Sequence, residues 1–216
     1  YLTVLYIEFI PVVAERFIGK SLKWIDSILR FLDKILDRVM WVFIVAGIVL
    51  SCLHQSSLGN LMVIAPYKMH PLWYTPILPL LFLVSAIAVG FPMVIFECTL
   101  ASKSFGCKLE TEVLTSLARI VPMLLGIYFF LKVGDLTIRE VWGHILDGTY
   151  QSNWFLVEFI LGIVVPLGMF LTKKFRTTPK LMFTAATLYI VFGVLLNRIN
   201  IFFVAYSPQY KTSTYI

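Results

Sequence analysis

Polar side chains that can transfer protons or donate hydrogen bonds lie inside or at the ends of the hydrophobic stretches of this chain. His54, Asp135 and Glu158 can each accept and release a proton, and the amide of Asn200 can donate hydrogen bonds. A quinone suits such a set, because its two carbonyl oxygens take donors and its oxidation releases two protons to a nearby base. Histidine titrates near neutral pH and can be that base. The same residue types would also bind a small polar solute, so both interpretations stay open at this point.

The elements that must position these residues are membrane-spanning helices. Hydrophobic residues make up 59% of the chain and the mean hydropathy is +0.88, well above the values of soluble domains. A helix needs about 20 apolar residues to cross a hydrocarbon core of about 30 Å. We therefore predict an all-α, polytopic membrane bundle of about six transmembrane spans, forming a single membrane domain over residues 1–216. The hydrophobic stretches cover residues 1–14, 39–53, 71–101, 113–131, 154–171 and 181–206.

The basic residues predict the orientation of the chain. Twelve of the 18 Lys and Arg residues lie between stretches one and two, three and four, and five and six, whereas four lie on the opposite side. Because cytoplasmic loops carry an excess of basic residues, those three connecting segments are predicted to be cytoplasmic. The net charge of +6 therefore reflects membrane topology and not binding to nucleic acid.

The segment 21–37 has the pattern of an amphipathic helix. Apolar residues recur on one face at helical spacing, while charged residues make up the other face. Such a helix is typical of an anchor that lies at the membrane surface on the cytoplasmic side. A docking face for a cytoplasmic subunit is the alternative.

The polar residues in four of the stretches are predicted to reach a similar depth near the outer surface. We predict that His54, Glu158 and Asp135 transfer protons there. A quinone bound there would be predicted to contact His54, Gln55, Ser56, Trp73, Arg198 and Asn200. Two alternatives are structural: Arg198 would extend to the lipid headgroups, and Asn197 and Asn200 would only bind helices together.

Three further charged residues lie within the hydrophobic stretches. Glu97 and Arg119 are both placed near the inner side, where a charge at helix centre costs about 2.5–3.5 kcal/mol unless it is paired. They are predicted either to pair with each other or to belong to an inner proton path. Glu8, in the first stretch, is assigned to the same path.

The segment 65–76 carries three prolines and three aromatic residues between two stretches. Trp73 and Tyr74 are residue types that favour the membrane interface. The segment is predicted to be a cap at the membrane surface; a contact platform for an outer subunit, or a lid on the site, is the alternative.

Cysteine and histidine usage argues against several cofactors. Cys52, Cys98 and Cys107 form no Cys-x-x-Cys pair, so an iron–sulfur cluster or a c-type haem held by this chain is disfavoured. The three histidines lie at stretch ends or in loops, which disfavours a b-type haem. We also predict no metal site.

Three motifs resemble the membrane subunits of the NrfD/polysulfide reductase type. They are LHQSSLG at 53–59, HPLWYTP at 70–76 followed by Glu97, and NRIN at 197–200. Within this family, the chain is most similar to the branch containing the HybB subunit of nickel–iron hydrogenases and the DsrP subunit of sulfite-reduction complexes. The resemblance extends over the whole chain. It also implies a longer protein, with helices before Tyr1 and one more after Ile216. The first stretch, too short to cross a bilayer alone, is in line with the former.

The resemblance implies a function in respiration. Such subunits bind quinone, with menaquinone expected, and hold neither haem nor an iron–sulfur cluster. They exchange electrons with a ferredoxin-like iron–sulfur subunit docked on the outer face of the inner membrane of a bacterium or archaeon. We expect a non-haem subunit of a larger oxidoreductase that is not catalytic alone. A transporter or channel component, or a passive membrane anchor, are the competing interpretations.

Overall fold

Helices account for most of the chain in the computed structural model, which describes residues 6, 23–64, 68–106 and 108–206, with 23–39 as backbone only. Within these residues the only β-pairing is an isolated bridge between Met69 and Tyr206. The contacts divide the chain into two compact units, residues 1–54 and 55–216. The predicted all-α class is confirmed.

Six helices are described, and five segments of them are long and apolar enough to cross a membrane. The first spanning segment is Met40–Val63, which is the second half of a longer helix. The other four are Leu78–Phe105, Thr111–Ile138, Tyr150–Leu171 and Pro179–Val204. The predicted stretch 1–14, with Glu8, lies outside the described residues apart from Tyr6. The helices are α1 (Lys23–Val63), α2 (Leu78–Phe105), α3 (Thr111–Ile138), α4 (Tyr150–Leu171), α5 (Lys173–Thr177) and α6 (Pro179–Val204).

Three predicted boundaries were wrong. The second stretch was ended at residue 53, but its helix continues to Val63. The fourth stretch was ended at residue 131, before Lys132, but α3 continues to Ile138. A charged residue ends a hydrophobic stretch in the sequence. The helix can still continue through that residue when its charge is paired inside the protein. The third stretch was begun at residue 71, whereas α2 begins at Leu78 with Pro79 in its first turn, because proline is tolerated there and the residues before it form turns.

The predicted surface helix 21–37 is helical from Lys23, and α1 runs on from it to Val63. Ser21 and Leu22 lie outside the described residues. The position of this segment at the membrane surface stays a prediction.

Helices α2, α3, α4 and α6 form the bundle of the second unit. Helix α2 packs against α3 and α6, and α4 packs against α3 and α6. One end of the bundle carries the segment 68–77, the connection 139–149 and Ala205; we call this the loop end. A short 3₁₀ helix, Val141–Ile145, lies in that connection.

Helices α4 and α6 cross at two glycines that face each other. A Cβ atom built on Gly162 would lie 2.5 Å from the carbonyl oxygen of Phe192, and one built on Gly193 would lie 2.5 Å from that of Gly162. Both glycines lie in π-helical segments, Ile160–Val164 and Tyr189–Leu195. Small residues let membrane helices approach this closely. The crossing therefore holds the two backbones side by side just below Glu158 on α4 and Asn197 on α6.

The crossing generates a stability prediction. Gly162→Ala should lower the free energy of unfolding by about 1–3 kcal/mol, because the added methyl group meets backbone atoms that cannot move away singly. Unfolding of the purified full-length protein in denaturing detergent measures the change. Gly168→Ala, on the same helix with open space around the position, is the matched control and should be nearly neutral. Equal stability of the two variants would contradict a tight crossing.

Candidate functional site

A fully buried carboxylate, that of Glu158 on α4, lies at the centre of a polar network at the loop end. Its Oε1 accepts hydrogen bonds from Lys132 Nζ at 2.5 Å and Asn197 Nδ2 at 2.7 Å. Its Oε2 accepts from Trp73 Nε1 and Asn200 Nδ2, both at 2.9 Å. Four donors from three separate segments thus surround one side chain.

The network suits an ionised Glu158. A carboxylate has about four acceptor positions, and the four donors fill them. A proton on Glu158 would meet a donor at every position, so protonation requires one partner to leave. Lys132 is the partner of opposite charge, and both side chains are almost completely buried. The two therefore form a buried ion pair within the spanning helices.

Lys132 and Asn197 are network members that the sequence analysis did not assign to the site. Lys132 was placed beyond a hydrophobic stretch, and Asn197 was considered only as a link between helices. A signal was present in the sequence: Tyr128, Lys132, Asp135 and Arg139 follow at spacings of four, three and four, which places them on one face of a helix.

Arg198 extends the network away from Glu158. Its Nη1 donates to Asn197 Oδ1 at 2.7 Å, while Nη2 donates to Ser85 Oγ at 2.8 Å. The guanidinium lies 3.6 Å above the ring of Phe82, which is a cation–π contact. Arg198 therefore points into the bundle and not towards lipid headgroups. Asn197 joins the two charges, since it donates to Glu158 and accepts from Arg198.

Asp135 forms a second charged group on the same face of α3. It pairs with Arg139, with Oδ2 2.6 Å from Nη2, and its Oδ1 accepts from Thr75 Oγ1 at 2.6 Å. Arg139 Nη1 also donates to the carbonyl of Pro71. The segment 68–77 is thus tied to α3 through Thr75 and Pro71 and to α4 through Trp73. The indole of Trp73 also packs edge to face on the ring of Phe155. The segment predicted to be a cap at the membrane surface is therefore inserted into the bundle at Trp73.

A small cavity connects the two charged groups. It offers about 20 Å³ for the centre of a water molecule, which is enough for a single water or so. Ligand pockets for larger molecules take about 300 Å³ or more. The cavity therefore suits water and protons and is too small for a quinone ring. Its polar lining includes Tyr128, Lys132, Asp135, Arg139 and Asn197.

The remaining predicted site residues lie elsewhere. His54 is exposed at the end of the first unit, and Gln55 and Ser56 are half-buried at the start of the second. Glu97 and Arg119 are both exposed and do not form an ion pair in the part of the chain that the structure describes. Glu158, Asp135, Trp73, Arg198 and Asn200 are the predicted residues that the fold brings together.

Three titratable residues cluster at the surface of the loop end. His144 Nδ1 lies 2.9 Å from Asp147 Oδ2, and the His144 ring meets the ring of His70 edge to face at 6.0 Å. His70 Nδ1 accepts the backbone N–H of Leu72 at 3.3 Å. Burial, and then the nearby His144, lower the pKa of His70 below its ordinary 6.5, while Asp147 acts in the opposite direction. Neutral His70 therefore holds the turn that carries Trp73.

Removing the charge of Glu158 should destabilise the protein. Glu158→Gln leaves Lys132 buried without its counter-ion and turns an amide N–H towards donors, so we expect a loss of about 3–5 kcal/mol in the free energy of unfolding. Denaturing-detergent titration of the full-length protein measures it. Glu97→Gln, at an exposed position, is the control.

The double variant Glu158→Gln/Lys132→Met sharpens this test. It removes both charges, and we expect it to be more stable than Glu158→Gln alone. A double variant that loses the sum of the two single losses would contradict the ion pair.

His70 generates a prediction for pH dependence. Because its pKa is lower in the folded protein than in the unfolded chain, its contribution to stability is complete above pH 6.5. That contribution is lost as the pH falls through the lowered pKa. His70→Asn keeps an acceptor oxygen near the place of Nδ1 but does not titrate. We expect thermal stability to fall less in this variant than in the wild type between about pH 6.5 and 5. His54→Asn controls for the loss of a histidine and should retain the wild-type dependence.

Comparison with known proteins places this chain among membrane subunits. The family described as "Polysulphide reductase, NrfD" matches residues 1–208. A protein of Nitratidesulfovibrio vulgaris whose name states no function is 33% identical over 97% of this chain. No solved structure matches.

Two further relatives have informative names. The "Probable Ni/Fe-hydrogenase 2 b-type cytochrome subunit" of Escherichia coli is 33% identical over 96% of this chain and 51% of its own length. The "Menaquinone reductase, integral membrane subunit" of Nitratidesulfovibrio vulgaris is 27% identical over 92% of this chain and 50% of its own length. The chain thus spans about half the length of the curated relatives that it matches. By the extent of the family match and its spanning helices, the chain is a multi-pass membrane protein that belongs to the NrfD polysulphide reductase family.

Proposed function

We propose that this chain is part of a quinone-interacting integral membrane subunit of a respiratory redox complex. The observation that carries the proposal is the buried Lys132–Glu158 ion pair next to a water-sized cavity that leads to Asp135 and Arg139. Charged groups inside a membrane bundle are costly and typically mark proton or ion pathways. The printed name of a relative, a menaquinone reductase membrane subunit, supports quinone as the redox partner.

Proton transfer is the role that the geometry supports best for this network. Glu158 can take a proton only if one donor leaves it, and Lys132 is the donor that also lines the cavity. Lys132 and Asp135 are three residues apart on α3, so they share a helix face. We propose that Lys132 moves its charge from Glu158 towards Asp135 when Glu158 accepts a proton. The proton then has a route through the cavity to the loop end.

The quinone ring itself would bind outside this cavity, which is too small for it. Trp73 and Asn200 already donate to Glu158, so we reassign these two predicted quinone contacts to support of the carboxylate. Arg198 is likewise engaged, with Asn197 and Ser85, so it is reassigned to the network. His54, Gln55 and Ser56 remain the proposed donors to the ring. Lys132, Glu158 and Arg198 together carry one net positive charge. A positive charge stabilises the negative charge that a quinone acquires as it gains electrons.

Membership of the family supports a proposal for the wider assembly. We propose that the electrons pass to or from an iron–sulfur subunit docked at the outer face, which is the side of the loop end. Menaquinone is the proposed quinone, and the inner membrane of a bacterium or archaeon is the proposed location. Glu97, Arg119 and Glu8 remain candidates for an inner proton path.

A b-type haem, which the printed name of the Escherichia coli relative suggests for that protein, does not fit the described residues. Haem iron needs axial ligands such as histidine. His70 and His144 lie outside the spanning segments with their rings in edge-to-face contact, which leaves no room for a porphyrin between them. His54 is the remaining histidine and lies in the span Met40–Val63, so the described spans offer no second histidine as its partner ligand.

The proposal is tested by quinone-analogue turnover in the purified complex. We expect His54→Ala to assemble normally and to lose turnover, because a positioned base contributes about 100-fold or more. His144→Ala, another exposed histidine, is the control and should turn over at the wild-type rate.

If His54→Ala turns over the quinone analogue at the wild-type rate, His54 takes no part in the quinone chemistry. A wild-type complex that binds but never oxidises or reduces a quinone analogue would favour a passive membrane anchor.

A further inference from the structure

Four buried side-chain atoms of the described residues have no protein partner: the hydroxyl oxygen of Tyr189, Nε of Arg198, Oδ1 of Asn200 and Nε of Arg176. The first two belong to side chains of α6 that lie close enough to interact electrostatically. Both atoms are buried, and the Tyr189 side chain is completely enclosed. A buried donor without a partner is costly, and ordered water is the usual solution in proteins. These two atoms therefore call for a ligand that can both donate and accept hydrogen bonds.

The backbone at Gly193 leaves room for the ring of Tyr189. Its ring lies against Gly193, where a Cβ atom would come within 2.5 Å of a ring carbon. Both residues belong to the π-helical segment Tyr189–Leu195, and such segments are frequent at functional sites. The absence of a side chain at residue 193 thus leaves room for the ring in this place.

Other polar groups adjoin the same spot. Tyr128 and Arg198 both lie close enough to Tyr189 to interact with it electrostatically. Tyr128 is buried and lines the water-sized cavity, as does Asn197, which is bonded to Arg198. Tyr128 and Asn197 therefore connect the lining of the water-sized cavity with Tyr189 and Arg198.

We propose that water bound between Tyr189, Arg198 and Tyr128 extends the Glu158 network towards the middle of the membrane, and that Tyr189 is a proton relay group. The inference deepens the proposed function and rests on it for the relay role. A protonated water on one side gives its extra proton to the Tyr189 oxygen as the hydroxyl proton passes to a second water. The first water is left neutral, the second carries the proton onward, and no net charge remains on the ring. The role of Arg198 is to orient the water, since its Nε can only donate.

Bound water is tested directly by X-ray hydroxyl-radical labelling of the wild-type complex, read by mass spectrometry. Radiolysis of a bound water labels the side chain beside it even when bulk solvent has no access. We expect labelling of Tyr189, whereas Phe170, equally buried among apolar residues, should stay unlabelled. Labelling at residue 189 no higher than at residue 170 would overturn the water site.

The relay is tested with Tyr189→Phe, which removes one hydroxyl and keeps the ring. In proteoliposomes that contain the complex, we expect redox-linked proton movement to slow at least about tenfold, with quinone-analogue affinity unchanged. Tyr150→Phe removes an exposed hydroxyl and is the control. Wild-type proton movement in Tyr189→Phe would overturn the relay. If the wild-type complex shows no quinone turnover, the proposed function fails, and the labelling result still decides the water site.

Discussion

The cost of holding one carboxylate inside a membrane bundle governs the rest of this structure. An unpaired buried charge costs several kcal/mol, and lipid offers it no hydrogen bonds. Glu158 is therefore stable only where donors meet it, and its four donors come from the segment 68–77, α3 and α6. Satisfying this side chain fixes the mutual arrangement of those segments and of α4 at the loop end.

The backbone makes this arrangement possible in a way that side chains alone do not. The close approach of α4 and α6 at Gly162 and Gly193 brings two asparagines of α6 within reach of Glu158. Asn197 and Asn200 lie three residues apart on one face. The π-helical segment Tyr189–Leu195 precedes both asparagines and a second one, Asn200–Val204, begins at Asn200; both alter the helical register locally. A regular helix with larger residues would hold the amides farther from the carboxylate.

The segment 68–77 links this interior to the surface. Trp73 donates a hydrogen bond to Glu158, and Thr75 donates one to Asp135. His70 accepts the backbone N–H of Leu72 and so anchors the turn that carries Trp73. Protonation of His70 turns its Nδ1 from an acceptor into a donor. The titratable His70 at the surface and the buried ion pair are therefore joined by a single short loop. Such a connection suits a subunit proposed to pass protons between quinone and water.

The sequence alone determined the fold class and the family, because the length and composition of the hydrophobic stretches are imposed by the bilayer and appear directly in the chain. It also singled out Glu158, Asp135 and Arg198, since charges beside apolar stretches are conspicuous. Tertiary structure decided which groups meet. Lys132 lies within α3 and pairs with Glu158, and Trp73 points into the bundle. Glu97 and Arg119 are exposed. The physical reason is that hydropathy registers the cost of burying a charge, whereas the partner that offsets this cost is set by helix packing between residues far apart in the chain.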